Sequence, residues 1–144
     1  MAAQLISRHF GRTYDFAMPL TESHREHWRL RWARQERSLE ERRRALLEIA
    51  PAIATALQAR WPGVTVRLFG SVRGAGFHMG SDLDLGLEGL PAEALLEAMR
   101  LAEDQADAAA ERRGLAPIAV DLVQLEALPK PWRERIRATG QPMP

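Results

Sequence analysis

Three aspartates sit inside short apolar runs, and their placement constrains this 144-residue chain more than any other feature. Asp82-Leu83-Asp84-Leu85-Gly86-Leu87 alternates with a period of two. That pattern reads as a strand with the three leucines on one face and Asp82 and Asp84 on the other. Ile118-Ala-Val-Asp121-Leu-Val123 reads as a further strand with a carboxylate in its interior. An ionised carboxylate is costly to bury alone, so each must meet solvent, a cation or a metal. Side chains two apart on a strand project roughly 6.5–7 Å from one another. That separation lets Asp82 and Asp84 share two Mg²⁺ ions spaced at about 3.5–4 Å. Asp121 can bring a third carboxylate to the same face, and an all-oxygen ligand set suits Mg²⁺ or Mn²⁺ rather than zinc.

A second element precedes the paired acids. Val64-Thr65-Val66-Arg67-Leu68-Phe69 is alternating and β-branched, which predicts a strand. It runs directly into Gly70-Ser71, and Gly70 to Ser81 contains four glycines, so this connection is tight with exposed backbone. Glycine lets backbone N–H groups approach phosphate closely, and the Ser71 hydroxyl adds a donor. A helical turn beginning at Ser71 would add its dipole. Phosphate cradle, paired carboxylates and a third acid together describe nucleotidyl transfer, in which a hydroxyl attacks an α-phosphate in line and pyrophosphate leaves.

Composition narrows the alternatives. The chain has no cysteine, which excludes disulfides, thiolate zinc sites and cysteine nucleophiles. Lys130 is its sole lysine, so no P-loop lysine follows any glycine-rich turn and a Schiff-base enzyme is disfavoured. No apolar run reaches the roughly 20 residues of a membrane span. Met1 to Leu20 lacks a basic-then-apolar leader pattern, and a cytoplasmic protein with no membrane partner is expected.

The remaining segments predict an α/β domain with an N-terminal helical arm. Up to Arg60 there are eleven arginines against seven acids; from Trp61 onward nine basic residues face twelve acids. The basic excess therefore lies outside the segment that holds the three aspartates. Ser23 and Glu26 form a capping box, which marks a helix start. Trp32, Leu39, Leu46 and Ile53 then recur every seven residues beside a half-polar companion seam. Pro51 predicts a break or kink after Ala50, with a second helix from Pro51 to Arg60. Pro91 to Arg113 predicts a helix with Leu95, Met99, Leu101 and Ala102 inward and Gly114 as its stop. Pro131 to Arg137 predicts a short terminal helix ending near Gly140. Residues 1–44 read as an arm with a charged helix, and residues 45–144 as the catalytic domain. The Arg25–Arg44 stretch interleaves Glu26, Glu36, Glu40 and Glu41 with its arginines, which favours a solvated charged helix over an RNA-binding one. Trp28 and Trp32 read first as packing residues, and as anchors for a partner protein if exposed.

Phe69-Gly70-Ser71, ten residues, then Asp82-Leu83-Asp84 resembles the signature of polymerase-β-type nucleotidyltransferases. The ten-residue gap and short chain are similar to the minimal nucleotidyltransferases that act as antitoxins beside HEPN-domain toxins. Val120-Asp121-Leu122-Val123 matches that family's third-carboxylate strand, and Leu128-Pro-Lys-Pro-Trp-Arg-Glu-Arg-Ile-Arg is similar to its close. The resemblance covers about Leu46 to Gly140. It implies a small mixed three- to four-stranded sheet flanked by helices, with Asp82, Asp84 and Asp121 as catalytic metal ligands. It further implies that Asp121 helps deprotonate the attacking hydroxyl and that Gly70 and Ser71 grip ATP. The implied activity is transfer of AMP to a tyrosine of a cognate HEPN RNase toxin, which silences it. One departure stands out: Arg73 and His78 are the only basic residues between Ser71 and Ser81, so phosphate charge falls to metal, backbone and Arg73. Two readings compete: an antitoxin that neutralises by contact without chemistry, and a nucleotidyltransferase acting on RNA ends or a small hydroxyl compound.

Overall fold

The computed structural model describes residues 21–144. The expected arm over Met1 to Leu20 lies outside them. The described chain divides between Arg37 and Ser38, inside the first helix, and Ser38–Pro144 forms one compact unit.

That helix, α1, runs Glu22–Arg60. Its N-terminus differs from expectation. The Thr21 hydroxyl accepts from the His24 N–H at 3.3 Å, so the cap lies two residues before Ser23 and Glu26 pairs with Arg29 instead. The expected break at Pro51 is also absent: α1 is one continuous helix of 39 residues. Proline removes one hydrogen bond, to the carbonyl four residues back. Here that carbonyl belongs to Leu47, an exposed residue that water can solvate, while Leu46, Ile49, Ala50, Ile53, Ala54 and Leu57 are buried on both sides of the proline. Burying each large side chain contributes about 1.5–3 kcal/mol, which together outweighs one lost bond.

The sheet follows. Strand β1 is Thr65–Phe69, β2 is Leu83–Glu88, β3 is Val120–Gln124, and β4 is Gln141–Pro142. They lie in the order β3-β2-β1-β4, with β2 antiparallel to β1 and parallel to β3. A parallel neighbour requires a long crossover. It is supplied by a 3₁₀ turn, Ala92–Ala94, and helix α2, Leu95–Arg112. The face of α2 that is fully buried is not the leucine-methionine stripe expected from sequence. Ala98, Ala102, Ala106, Ala109 and Ala110 go inward, Leu95, Met99 and Leu101 lie at the margin, and Leu96 is exposed. Small side chains bring the helix axis close to the sheet, and the larger residues then seal its flanks.

The protein is thus a mixed α/β fold with one four-stranded mixed sheet. Leu83, Leu85 and Leu87 join Val66, Leu68 and Leu122 in the core shared with α1 and α2. The opposite face of β2 carries Asp84, Gly86 and Glu88. Helix α3, Lys130–Thr139, and the 3₁₀ turn before it, Leu125–Ala127, approach that face closely: a Cβ on Gly86 would lie 3.3 Å from Ile136 and 3.1 Å from Leu125. Strand β4, unforeseen in the sequence, pairs with β1 through Arg67↔Pro142 and Leu68↔Gln141. No described helix is long and apolar enough to cross a membrane.

Candidate active site

The register of the central strands places the acids. On the parallel pair, Asp84 lies opposite Asp121; on the antiparallel pair, Asp84 lies opposite Phe69. Asp84 therefore sits between Asp121 on one neighbour and the Phe69-Gly70 corner on the other, all on the face away from the leucine core. Asp82 stands just outside β2, exposed, separated from Asp84 by the buried Leu83. The Leu83 N–H donates to the Ala119 carbonyl at 2.9 Å, which fixes the entry to β2 beside the entry to β3.

The electrostatics record the same proximity. The Asp84 carboxyl is pushed up to about 6, first by burial and then by the negative charges of Asp121 and Asp82. Among the described residues, no arginine, lysine or histidine forms an ion pair with any of the three. The cluster is a concentration of negative charge with no protein counter-ion.

Gly70 meets Asp84 directly. Its φ of +82° and ψ of −165° lie in a region open essentially to glycine alone. A Cβ there would fall 2.0 Å from Asp84 Oδ2, 2.9 Å from Cγ and 3.0 Å from Cβ. The turn backbone thus lies against the central carboxylate, with Ser71 next to it. The expected helix N-terminus at Ser71 is a single 3₁₀ turn, Ser71–Arg73, so no helix dipole of consequence points at the site. Whatever grip the turn has on an anion comes from its backbone N–H groups and the Ser71 hydroxyl.

Arg73 leads away from the acids. Its guanidinium donates to the Thr139 carbonyl at the end of α3. A guanidinium carries five N–H donors, so that contact does not exhaust it. Between this turn and α3 opens a cleft of about 670 Å³, with Phe69, Gly70 and Arg73 on one side and Trp132, Arg135 and Ile136 on the other. His78 belongs to a local turn: its Nδ1 accepts from the Gly80 N–H at 3.1 Å, and its own N–H donates to Ser81 Oγ at 2.9 Å.

Two arginines that the sequence left in a charged helix turn out to brace the site. Arg43 donates to the Gly74 carbonyl at 2.8 Å and stacks 5.0 Å over the Phe77 ring, tying α1 to the glycine-rich loop. Arg42 is buried and reaches the carbonyls of Ala116 and Pro117, just ahead of β3 and Asp121. Their one signal in the sequence is position: both adjoin the apolar stripe that begins at Ala45 and Leu46.

Helix α3 is pinned by charge. Glu88, at the end of β2, accepts from Arg137 at 3.0 and 2.7 Å and from Arg67 at 3.0 Å. These bonds, the Arg137 ones foremost, hold its carboxyl below the usual range. A carboxylate so lowered stabilises the fold above its unfolded pKa and loses that contribution as pH falls through the native value. Glu88→Gln is expected to cost about 1–2 kcal/mol at neutral pH, from weakened charge-assisted bonds, and less at pH 3. Urea denaturation at the two pH values measures the difference.

No group of three or more His, Asp or Glu side chains among the described residues is gathered closely enough to form a metal cage on its own. No protein-family model matches the chain, and no curated protein matches it.

Proposed function

We propose that this protein is a Mg²⁺-dependent nucleotidyltransferase with a polymerase-β-like core, acting as an antitoxin that transfers AMP from ATP to a hydroxyl, a tyrosine by resemblance, on a HEPN-domain toxin. The observation that carries the enzymatic part is the lateral order Asp121, Asp84, Gly70 across three elements on one sheet face. Asp84 is half-buried beside two exposed acids and no counter-ion, a cost that a protein working by contact alone has no reason to bear.

The site suits Mg²⁺ on two grounds. Its donors are all oxygens, and the Asp84 anion, disfavoured first by burial and then by Asp121 and Asp82, is one that a bound cation would stabilise. Mg²⁺ is commonly held by one or two carboxylates together with water and substrate phosphates, rather than by an all-protein cage. Held by Asp82, Asp84 and Asp121 with the nucleotide, it would supply positive charge at the α-phosphate and lower the pKa of the attacking hydroxyl. Gly70 and Ser71 bind the triphosphate through backbone and hydroxyl donors. Arg73, at the mouth of the cleft, is placed to add a charged donor. Asp121, on the flank away from Gly70, accepts the proton of the incoming hydroxyl. The hydroxyl would attack the α-phosphorus from the side opposite the departing pyrophosphate, as in-line displacement requires.

The toxin partner and the choice of AMP rest on the resemblance of Phe69-Gly70-Ser71 and Asp82-Leu83-Asp84 to the minimal nucleotidyltransferases. The test is neutralisation of the protein encoded beside this one. Asp82→Ala/Asp84→Ala should leave that partner's RNase activity intact, whereas wild type with ATP and Mg²⁺ abolishes it. Full neutralisation by the double variant would establish a contact antitoxin instead.

A further inference from the structure

We propose that the cleft beside Gly70 receives the nucleobase of a purine nucleoside triphosphate on Trp132. The inference rests on the nucleotidyltransferase reading and adds to it which nucleotides the site takes.

The cleft is continuous with the turn assigned to the triphosphate, since Gly70 and Arg73 line one wall. Trp132, Arg135, Ile136 and Thr139 face it from α3, at the i, i+3, i+4, i+7 spacing of a single helix face. Thr139 is at the Arg73 end, because its carbonyl accepts from that guanidinium. Trp132 lies seven residues earlier, about 10 Å along the axis at 1.5 Å per residue. One end of the cleft therefore adjoins the phosphate turn through Arg73, and the other presents an indole, with Arg135 between them. An extended nucleotide bridges such a separation.

Trp132 has no evident packing duty. It is 59% exposed, while Ile136 on the same helix is buried against the sheet. An exposed indole at the edge of a cleft, with arginines beside it, suits a ring joined to an anion. Aromatic stacking is worth about 1–3 kcal/mol per base and tolerates any base, because every base has a π-face. A purine covers more of the indole than a pyrimidine does.

The experiment is equilibrium binding to the full-length protein in Mg²⁺, by calorimetry, of ATP, GTP, UTP and inorganic tripolyphosphate. Wild type and Trp132→Ala are compared, with melting curves to show that both are folded. Wild type should bind ATP and GTP more tightly than UTP and tripolyphosphate. Trp132→Ala should weaken both purine nucleotides about tenfold and leave tripolyphosphate unchanged. Trp132→Phe should restore most of the loss. If Trp132→Ala leaves ATP binding unaltered, or weakens tripolyphosphate equally, the indole does not hold the base. UTP bound as tightly as ATP and GTP overturns the purine preference alone. Wild type that binds neither nucleotides nor tripolyphosphate removes the nucleotidyltransferase reading as well.

Discussion

Gly70→Ala is expected to abolish nucleotidyl transfer while leaving most of the sheet intact. Two independent costs converge on this residue. The backbone at φ +82°, ψ −165° strains any L-residue by about 1–3 kcal/mol. The added methyl would also overlap Asp84 down to its Cβ, at 3.0 Å, so rotating the carboxylate aside does not relieve the clash. Either the turn leaves the sheet edge or β2 shifts with its aspartate. Displacement by about 1 Å can cost a hundredfold in rate, so a loss of at least that size is expected, with a lowered melting temperature. Ser71→Ala removes one donor without moving the backbone and should cost less. Initial rates on the same partner protein, with melting curves alongside, check the ranking; equal losses for the two variants would mean that the turn backbone does not serve the site.

Asp84→Asn should make the protein more stable and far less active. The native carboxyl titrates at about 6, above its ordinary value near 4, because burial and two neighbouring acids disfavour the anion. The native state then holds its proton more tightly than the unfolded chain does. Stability contributed by the protonated acid is present at pH 4, declines as pH rises towards 6, and is absent above. Asparagine carries no charge, so the variant should melt higher than wild type at pH 7.5 and with little difference at pH 4. Mg²⁺ should raise the melting temperature of wild type at pH 7.5 and have a much smaller effect on the variant. Activity should fall by about a hundred- to a thousandfold, the usual loss on removing one electrostatic stabiliser of a transition state. A variant that melts no higher than wild type at pH 7.5 would show that neither burial nor the neighbouring acids penalise the Asp84 anion.

Much of this site could be read from the residues themselves. Period-two alternation in Leu83-Asp84-Leu85 and Val120-Asp121-Leu122 carries both the strand and the face, because a one-residue slip would bury the acids and expose the leucines. Gly70 was legible for a similar reason: few conformations accept glycine alone, and it follows a strand at once. What escaped the sequence depends on contacts between distant segments. Pro51 reads as a break by local rules, yet the packed residues around it keep α1 whole. Strand β4 is two residues long, one of them a proline, and exists because β1 offers it an edge. The inward face of α2 is a row of alanines that hydropathy ranks below its leucines; close packing on the sheet reverses that ranking. Arg42 and Arg43 look like surface charge until the Ala116–Pro117 and Gly74 carbonyls come within their reach. Packing, not pattern, assigns those roles.

Nucleotidyl transfer makes a claim about which phosphorus moves. ATP labelled on the α-phosphorus, and separately ATP labelled on the γ-phosphorus, should be incubated with Mg²⁺, this protein and the protein encoded beside it. Nucleotidyl transfer requires that α-label become covalently attached to the partner and that γ-label leave as pyrophosphate, with both signals lost in Asp82→Ala. Attachment of γ-label, or neutralisation of the partner with no label attached, would contradict it.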